Sequence, residues 1–282
     1  MPFDGLRVLS LESRRSTEID LLIRRQGGAP FVAPSVEERP LEDHSDAFRL
    51  LEELEARAFD ILVLMTGTGL TFWRDVVATR YGASRADGAL RRVKLLARGP
   101  KPSAILRPLG ISPDITIPEP NTWREIVEVM RNRPERRVAI QEYGHPNTDL
   151  VEALTTLGIK TETFALYRWA LPTDTQPLRE AARRLAAREF DVVLFTSSVQ
   201  LEHLLQIAAE ENARDEVLQS LHEAVVASVG PIMNATLAEY GIHPDIVPIS
   251  PKMGALVKAA ADESAAILSV KRNGTDGTIM PT

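Results

Sequence analysis

Seven short segments hold the groups best suited to chemistry: ESRRST (12–17), TGTG (66–69), RGPKPS (98–103), EYGHPNT (142–148), TSSVQ (196–200), VGPIMN (229–234) and ISPKMG (249–254). Nearly all of them join Ser, Thr, Asn or Gly to the start of a helical pattern. They therefore offer hydroxyls, backbone N–H groups not used by the helix, and positive dipole ends to an anion. Thr66 and Thr68 lie in the second segment, and Thr196, Ser197 and Ser198 in the fifth. Such hydroxyls also serve as plain N-caps, and for any one loop that reading stays open. Arg14 and Arg15 are the main cationic candidates, with Lys101 and Arg98 weaker; basic side chains that merely extend into water are the alternative. Loops of this kind from two facing domains suit a small molecule with many anionic groups.

Other chemistries find little support. Gly67-Thr-Gly69 lacks the third glycine and the downstream acidic residue of a dinucleotide fingerprint, and no GxxxxGK[ST] occurs. The five histidines, His44, His145, His203, His222 and His243, form no HExxH or close pair, and there is no GxSxG elbow. The chain has no cysteine, which removes thiol nucleophiles, Cys-zinc sites and disulfides and fits a reducing compartment.

The elements that must position these loops are legible as alternating short β-branched runs and helical patterns. RVLSL precedes STEIDLLIRRQGG, FDILVLM precedes LTFWRDVVATRYG, VKLLA precedes KPSAILRPLG, and the order continues to DIVPI and GALVKAAADE. Uniformly apolar strands of this sort form buried parallel sheets with helical crossovers, and such sheets bind ligands beyond the carboxyl ends of their strands. The seven loops fall at those ends.

The pattern is also duplicated. Gly99–Pro120 aligns without a gap on Gly230–Pro251, matching at ten of 22 positions, and the same offset of 131 residues pairs FDILVLMTG (59–67) with FDVVLFTSS (190–198). A fainter likeness links the first strand and helix to RRVAIQEYGHPNTDLVEALTTLG from Arg136. A period this long means duplicated halves or domains, not a solenoid. FVAPSVEERPL (31–41) and ETFALYRWALP (162–172) are extended and Pro-edged, and are read as the crossings between the two domains. The end of the chain is polar and rich in helix breakers, and is read as disordered.

With 44% apolar and 26% charged residues, the composition is that of an ordinary globular protein. A net charge of −6 and the lack of any Lys/Arg run argue against a nucleic-acid partner. No 18-residue apolar stretch and no signal-peptide pattern appear, so neither a membrane span nor export is expected. A cytoplasmic monomer is the simplest expectation.

FDVVLFTSSVQLEHLL followed by SVGPIMNATLAEYGIHPDIVPISPKMGAL, with GIKTETFALYRWALP before them and ARGPKPSAILRPLGI in the first half, resembles the uroporphyrinogen-III synthase family over roughly residues 6–268. The resemblance implies two similar α/β domains, each a parallel sheet flanked by helices, joined by a two-stranded antiparallel linker. Residues 1–35 with 172–268 would form one domain and 41–164 the other. The linker strands would be 36–40 and 165–171, leaving 269–282 as the disordered tail. It implies cyclisation of hydroxymethylbilane, a linear tetrapyrrole with eight carboxylates, to uroporphyrinogen III with inversion of the last ring, loss of water and no cofactor. Tyr167 matches the family's candidate acid, and a phenol with a pKa of about 10 can donate to a leaving hydroxyl. Thr196, Ser197 and Ser198 fall on its strand-end hydroxyl motif, Gly230 and Pro231 on its Gly-Pro turn, and Ser250, Lys252 and Met253 on its SPT-like loop. Lys252 departs from the small hydroxyl residue often found there, which implies either a direct contact to a substrate carboxylate or a side chain turned to solvent. A two-lobed, non-catalytic sensor for an anionic small molecule is the alternative, though the chain shows no output segment.

Overall fold

The structure is a computed structural model that describes residues 2–275. From the amino end, β1 (Arg7–Ser10), α1 (Ser16–Arg25) and β2 (Ala29–Val32) form a βαβ piece, and β3 (Glu37–Pro40) follows. The next segment comprises α2 (Ser45–Glu55), β4 (Ile61–Leu64), α3 (Gly67–Tyr81), α4 (Ala83–Leu90), β5 (Lys94–Ala97) and α5 (Pro100–Leu106), then β6 (Ile115–Thr116), α6 (Trp123–Arg131), β7 (Arg137–Gln141), α7 (Thr148–Thr156) and β8 (Lys160–Phe164). After β9 (Tyr167–Ala170) come α8 (Gln176–Ala186), β10 (Val192–Phe195), α9 (Ser198–Glu210), α10 (Arg214–Glu223), β11 (Val225–Ser228), α11 (Pro231–Glu239) and α12 (Met253–Thr275).

Two compact units result. The continuous unit is Glu38–Trp169, and the split unit joins the residues up to Glu37 with those from Ala170 onward. The two boundaries fall inside β3 and β9, which pair as a two-stranded antiparallel sheet. In the continuous unit the parallel sheet runs β6-β5-β4-β7-β8; in the split unit it runs β11-β10-β1-β2. A single parallel bridge, Ala227 to Ile246, stands where β6 stands in the other sheet. DIVPI, expected as a strand, therefore contributes one bridged residue. Pro244 and Pro248 flank it, and neither can donate to a ladder.

The central strands β4 (ILVL) and β10 (VVLF) are buried at every position, as expected of strands covered by helices on both faces. In the continuous unit one face packs Leu62, Leu64 and Ala139 against α2, α3 and α4 around Trp73, whose indole N–H donates to the Ala47 carbonyl at 2.9 Å. Removing that ring would cost about 3–5 kcal/mol. The other face packs Ile61, Val63 and Val138 against α6 and α7. In the split unit, Leu9 and Val193 face α8, α9 and α10, while Val8, Val192 and Ala227 face α1 and α12.

The duplication reaches the polar fastenings. Asp60, just before β4, accepts from the backbone N–H groups of Arg136 and Arg137 at 2.9 and 3.0 Å; Asp191, just before β10, accepts from that of Arg7 at 2.8 Å. Asp114 takes the N–H of Leu95 and Asp245 that of Val226, both at 2.8 Å. Each carboxylate ties neighbouring strands at the amino edge of its sheet, the edge opposite the loops.

The chain end departs from expectation. A disordered tail from residue 269 is the sequence reading, but α12 continues to Thr275. Lys271 donates to Asp245 and to the Ala224 carbonyl, both at 2.7 Å, and Arg272 pairs with Asp191 at 2.7 Å. Two carboxylates at the sheet edge thus hold a polar segment that its composition alone would leave unstructured. Residues 276–282 lie outside the described residues.

Candidate functional site

Each unit presents its own loop cluster at the carboxyl ends of its strands, and the two clusters differ in chemistry.

In the continuous unit, Thr66 follows β4 and caps α3. Its Oγ1 accepts from the Gly69 N–H at 3.1 Å and from the Gln141 side-chain amide at 3.1 Å, and it lies 3.1 Å from the Tyr167 hydroxyl. A threonine oxygen has two lone pairs and one proton. Thr66 Oγ1 thus stands at the centre of three contacts, and either hydroxyl can be the donor in its bond with Tyr167. Tyr167 opens β9, is 2% exposed, and stacks its ring 5.7 Å from Phe72. Gln141 is equally buried, and its Oε1 has no partner among the described residues. Gly69 makes this network possible, because a Cβ there would lie 1.6 Å from Gln141 Nε2 and 3.1 Å from a Tyr167 ring carbon. Thr68 is half-buried in the first turn of α3.

Arg98 follows β5 at the same end. Its half-buried guanidinium sits 5.1 Å from the centre of the Tyr143 ring. Burial lowers its pKa below the ordinary arginine value, opposed by the Tyr143 and Tyr167 hydroxyls. Neither an ion pair nor a side-chain hydrogen bond holds it among the described residues. Burial likewise raises the Tyr143 pKa, with Arg98 pulling the other way. Tyr143 belongs to an aromatic cluster with His145, at 4.5 Å, and Trp169, at 5.6 Å. Gly144, at φ +92°, lets that loop pass under Trp169, whose ring would come within 2.7 Å of any Cβ. Beside it, Glu142 is buried and its carboxyl is raised above the usual range by burial, opposed by a hydrogen bond from Thr163. Lys101 is exposed on α5. The surface cavity bordered by Leu41, Glu42, Asp43, Ser45, Asp46 and Arg168 carries three carboxylates and does not suit an anion.

In the split unit the groups are used internally. Thr196 donates to Glu12 at 2.6 Å, and the Gln200 side chain accepts from the Thr196 N–H at 2.7 Å and donates to its hydroxyl at 2.8 Å. Ser197 caps α9 in a capping box with Gln200, and Ser198 opens the helix. Gly230 and Pro231 begin α11, and the Gly230 N–H is 3.3 Å from the Ser228 hydroxyl. Ser250 is half-buried and its carbonyl accepts from the Lys252 N–H at 2.7 Å. Lys252 is exposed, whereas the Met253 side chain packs into the core with Val8 and Ile19, leaving only its backbone to a ligand. Arg14 and Arg15 are exposed, and Arg15 pairs with Glu18.

Within the continuous unit, Thr66 and Tyr167 are therefore brought together, and Gln141, Gly69, Tyr143 and Arg98 join them. The sequence reading passed over Gln141, although it is the one polar residue closing an apolar strand (RVAIQ), and it took Gly69 as part of the TGTG loop and of a failed nucleotide motif, without its packing role.

The family model for uroporphyrinogen-III synthase HemD matches residues 17–258. The chain belongs to that family. Bacillus subtilis YjjA, an uncharacterised protein, is 27% identical over 261 residues, covering 90% of this chain and 94% of its own. A Methanothermobacter thermautotrophicus protein assigned provisionally as a uroporphyrinogen-III synthase is 28% identical over 232 residues, covering 81% and 87%. The fold is that of the Thermus thermophilus uroporphyrinogen III synthase mutant structure (TM-score 0.69, 21% identity, 93% of this chain and all of that one). The Helicobacter pylori synthetase shares it at TM-score 0.55 and 15% identity, over 90% of this chain and 98% of that one. Among the described residues no helix is long and apolar enough to cross a membrane.

Proposed function

We propose that this protein is a uroporphyrinogen-III synthase that cyclises hydroxymethylbilane, with Tyr167 as the proton donor. The observation that carries this reading is the family match over residues 17–258 together with the place of the Tyr167 hydroxyl, 3.1 Å from Thr66 at the carboxyl ends of the strands. A hydrogen bond accepted from Thr66 stabilises the phenolate left after proton transfer. The hydroxymethyl C–O bond breaks as the hydroxyl takes the Tyr167 proton and leaves as water. The electron-rich pyrrole stabilises the resulting azafulvene-like cation. The substituted carbon of the last ring then attacks it to give a spiro intermediate, whose opening and reclosure invert that ring. The ring proton lost on rearomatisation restores the phenol. The protein's main contribution is to fold the chain so that the substituted carbon is the one in reach.

No metal, nucleotide or other cofactor enters this scheme, which makes the enzyme a hydro-lyase of tetrapyrrole biosynthesis, working as a cytoplasmic monomer without nucleic-acid partners. The hydroxyls and backbone N–H groups at Ser197, Ser198 and Ser250, the backbone N–H groups of Gly230 and Met253, and the Thr68 hydroxyl contact substrate carboxylates, while Pro231 shapes the turn and Thr196 holds its loop through Glu12 and Gln200. Arg14, Arg15 and Lys252 supply mobile charge at the surface. Incubating the protein with fresh hydroxymethylbilane, oxidising and separating the isomers tests the reading. The type III isomer is expected with or without a chelator, and accumulation of the spontaneous type I isomer alone would sink it.

A further inference from the structure

The scheme above leaves the half-buried cation of Arg98 unused. Other half-buried arginines of this unit are committed to acids: Arg74 to Asp87, Arg85 to Glu55, Arg133 to Glu135, and Arg49 to Asp46 and Glu53. Arg98 is not, although it is more costly to leave unpaired, since it is half-buried against Tyr143. A guanidinium taken partly out of water without a counter-charge is unfavourable unless something else compensates it. The Tyr143 ring face supplies part of that compensation through a cation–π contact. It leaves the planar N–H edge of the guanidinium, the part that recognises carboxylates in bidentate fashion, without an acceptor.

We propose that Arg98 binds one carboxylate of the linear tetrapyrrole, with Tyr143 fixing the guanidinium plane and Trp169 and His145 walling the position. This rests on the synthase reading above for the identity of the ligand, but the carboxylate site itself does not. The two halves of the duplication give it direction. At the offset of 131 residues the partner of Arg98 is Val229, so the corresponding loop of the split unit has no such charge. At the continuous unit the substrate is therefore held by a fixed cation near the Tyr167 hydroxyl, with which Arg98 interacts. A fixed anchor next to the proton donor sets which end of the tetrapyrrole meets Tyr167.

Arg98→Met, Arg98→Lys and Tyr143→Phe are compared with the unaltered protein in two measurements. In the isomer assay, Arg98→Met is expected to raise KM roughly tenfold to a hundredfold with kcat changed by less than about threefold, and to weaken the salt dependence of kcat/KM. Arg98→Lys should recover part of the loss, because it restores the charge but not the fork. Tyr143→Phe keeps the ring face that holds the guanidinium, so its KM should rise less than that of Arg98→Met. In the second measurement, uroporphyrin III, a stable octacarboxylate, is titrated against tryptophan fluorescence with its octamethyl ester as control. Affinity should fall in Arg98→Met by the same factor, and the ester should not bind. If the unaltered protein makes the type III isomer and Arg98→Met, with an unchanged melting temperature, keeps both KM and porphyrin affinity, the Arg98 site is overturned while the synthase reading stands. If no type III isomer forms but porphyrin binding depends on Arg98, the carboxylate site stands and the reaction is wrong. Should Arg98→Met melt early, Arg98→Lys decides: full KM and affinity with the geometry of the fork gone would overturn bidentate carboxylate recognition.

Discussion

The two halves of the molecule share their strand order and the aspartates at the amino edge of their sheets, yet at the opposite edge they are chemically unlike. In the split unit the loop hydroxyls are consumed: Thr196 is bound to Glu12 and to Gln200, and Ser197 caps α9. In the continuous unit the corresponding loops carry a phenol bonded to Thr66, and an amide oxygen on Gln141 and a guanidinium on Arg98 that lack a hydrogen-bonding or acidic partner among the described residues. Closed networks make rigid walls, whereas polar groups left open to a ligand make a site. The difference teaches that duplication supplied a common frame on which the two loop clusters diverged in their polar groups.

The strongest way to break this contrast is at Tyr167. Tyr167→Phe keeps the ring against Phe72 and removes the hydroxyl, so kcat should fall about tenfold to a hundredfold with KM little changed. Equal kinetics in steady-state assays would move the proton donor elsewhere. Gly69→Ala comes next. Its methyl group must expel the Gln141 amide from Thr66, which loses that hydrogen bond. A fall of about tenfold in kcat is expected, with the far-ultraviolet spectrum unchanged. Thr196→Val, the matching insult to the split unit, should change kcat less than threefold and act mainly on stability. If Thr196→Val proves as damaging to kcat as Gly69→Ala, the division of labour is false.

Stability tests of the shared frame should give smaller effects. Asp60→Ala releases two backbone N–H groups and the Arg137 guanidinium, and Asp191→Ala one backbone N–H and the guanidinium groups of Arg7 and Arg272; about 1–3 kcal/mol is expected from each in urea denaturation. A large inequality would show that the edges are not equivalent. The least effect is expected from acid. Glu135 is 5% exposed; burial would raise its pKa, but hydrogen bonds from Lys94 and Arg133 hold it at about 2. A depressed carboxyl stabilises fully above its unfolded value near 4.5 and loses that contribution as pH falls toward 2. Glu135→Gln should therefore flatten the acid limb of the continuous unit by about 1–2 kcal/mol, given the half-exposed lysine beside it.

Much of the frame was visible in the sequence because strands such as ILVL and VVLF are apolar throughout and because Gly99–Pro120 repeats in Gly230–Pro251. Thr66 was legible as a hydroxyl before a helix. Its partners were not, since Gln141 and Tyr167 come from strands 75 and 101 residues away. Arg98 looked weaker than Arg14 and Arg15 because sequence does not reveal which cations lack acids. Arg15 meets Glu18 one turn away, while Arg98 finds an aromatic ring instead. The tail was misread for the same reason. Lys271 and Arg272 look like solvated ends of a polar segment until α12 brings them to Asp245 and Asp191.

The split unit has a further consequence, which concerns the order in which the protein is made. β1 lies between β10 and β2 in its sheet, so on leaving the ribosome it needs a neighbour encoded more than 180 residues later, as the pairing of Ser10 with Leu194 shows. At roughly 5–20 residues per second, the amino-terminal βαβ piece waits about 10–40 s with one edge of β1 unpaired. The continuous unit is complete before β10 is synthesised. During translation the half that carries the phenol and the arginine can therefore be folded first, while the opening residues of the chain are still exposed to chaperones and to wrong strand partners.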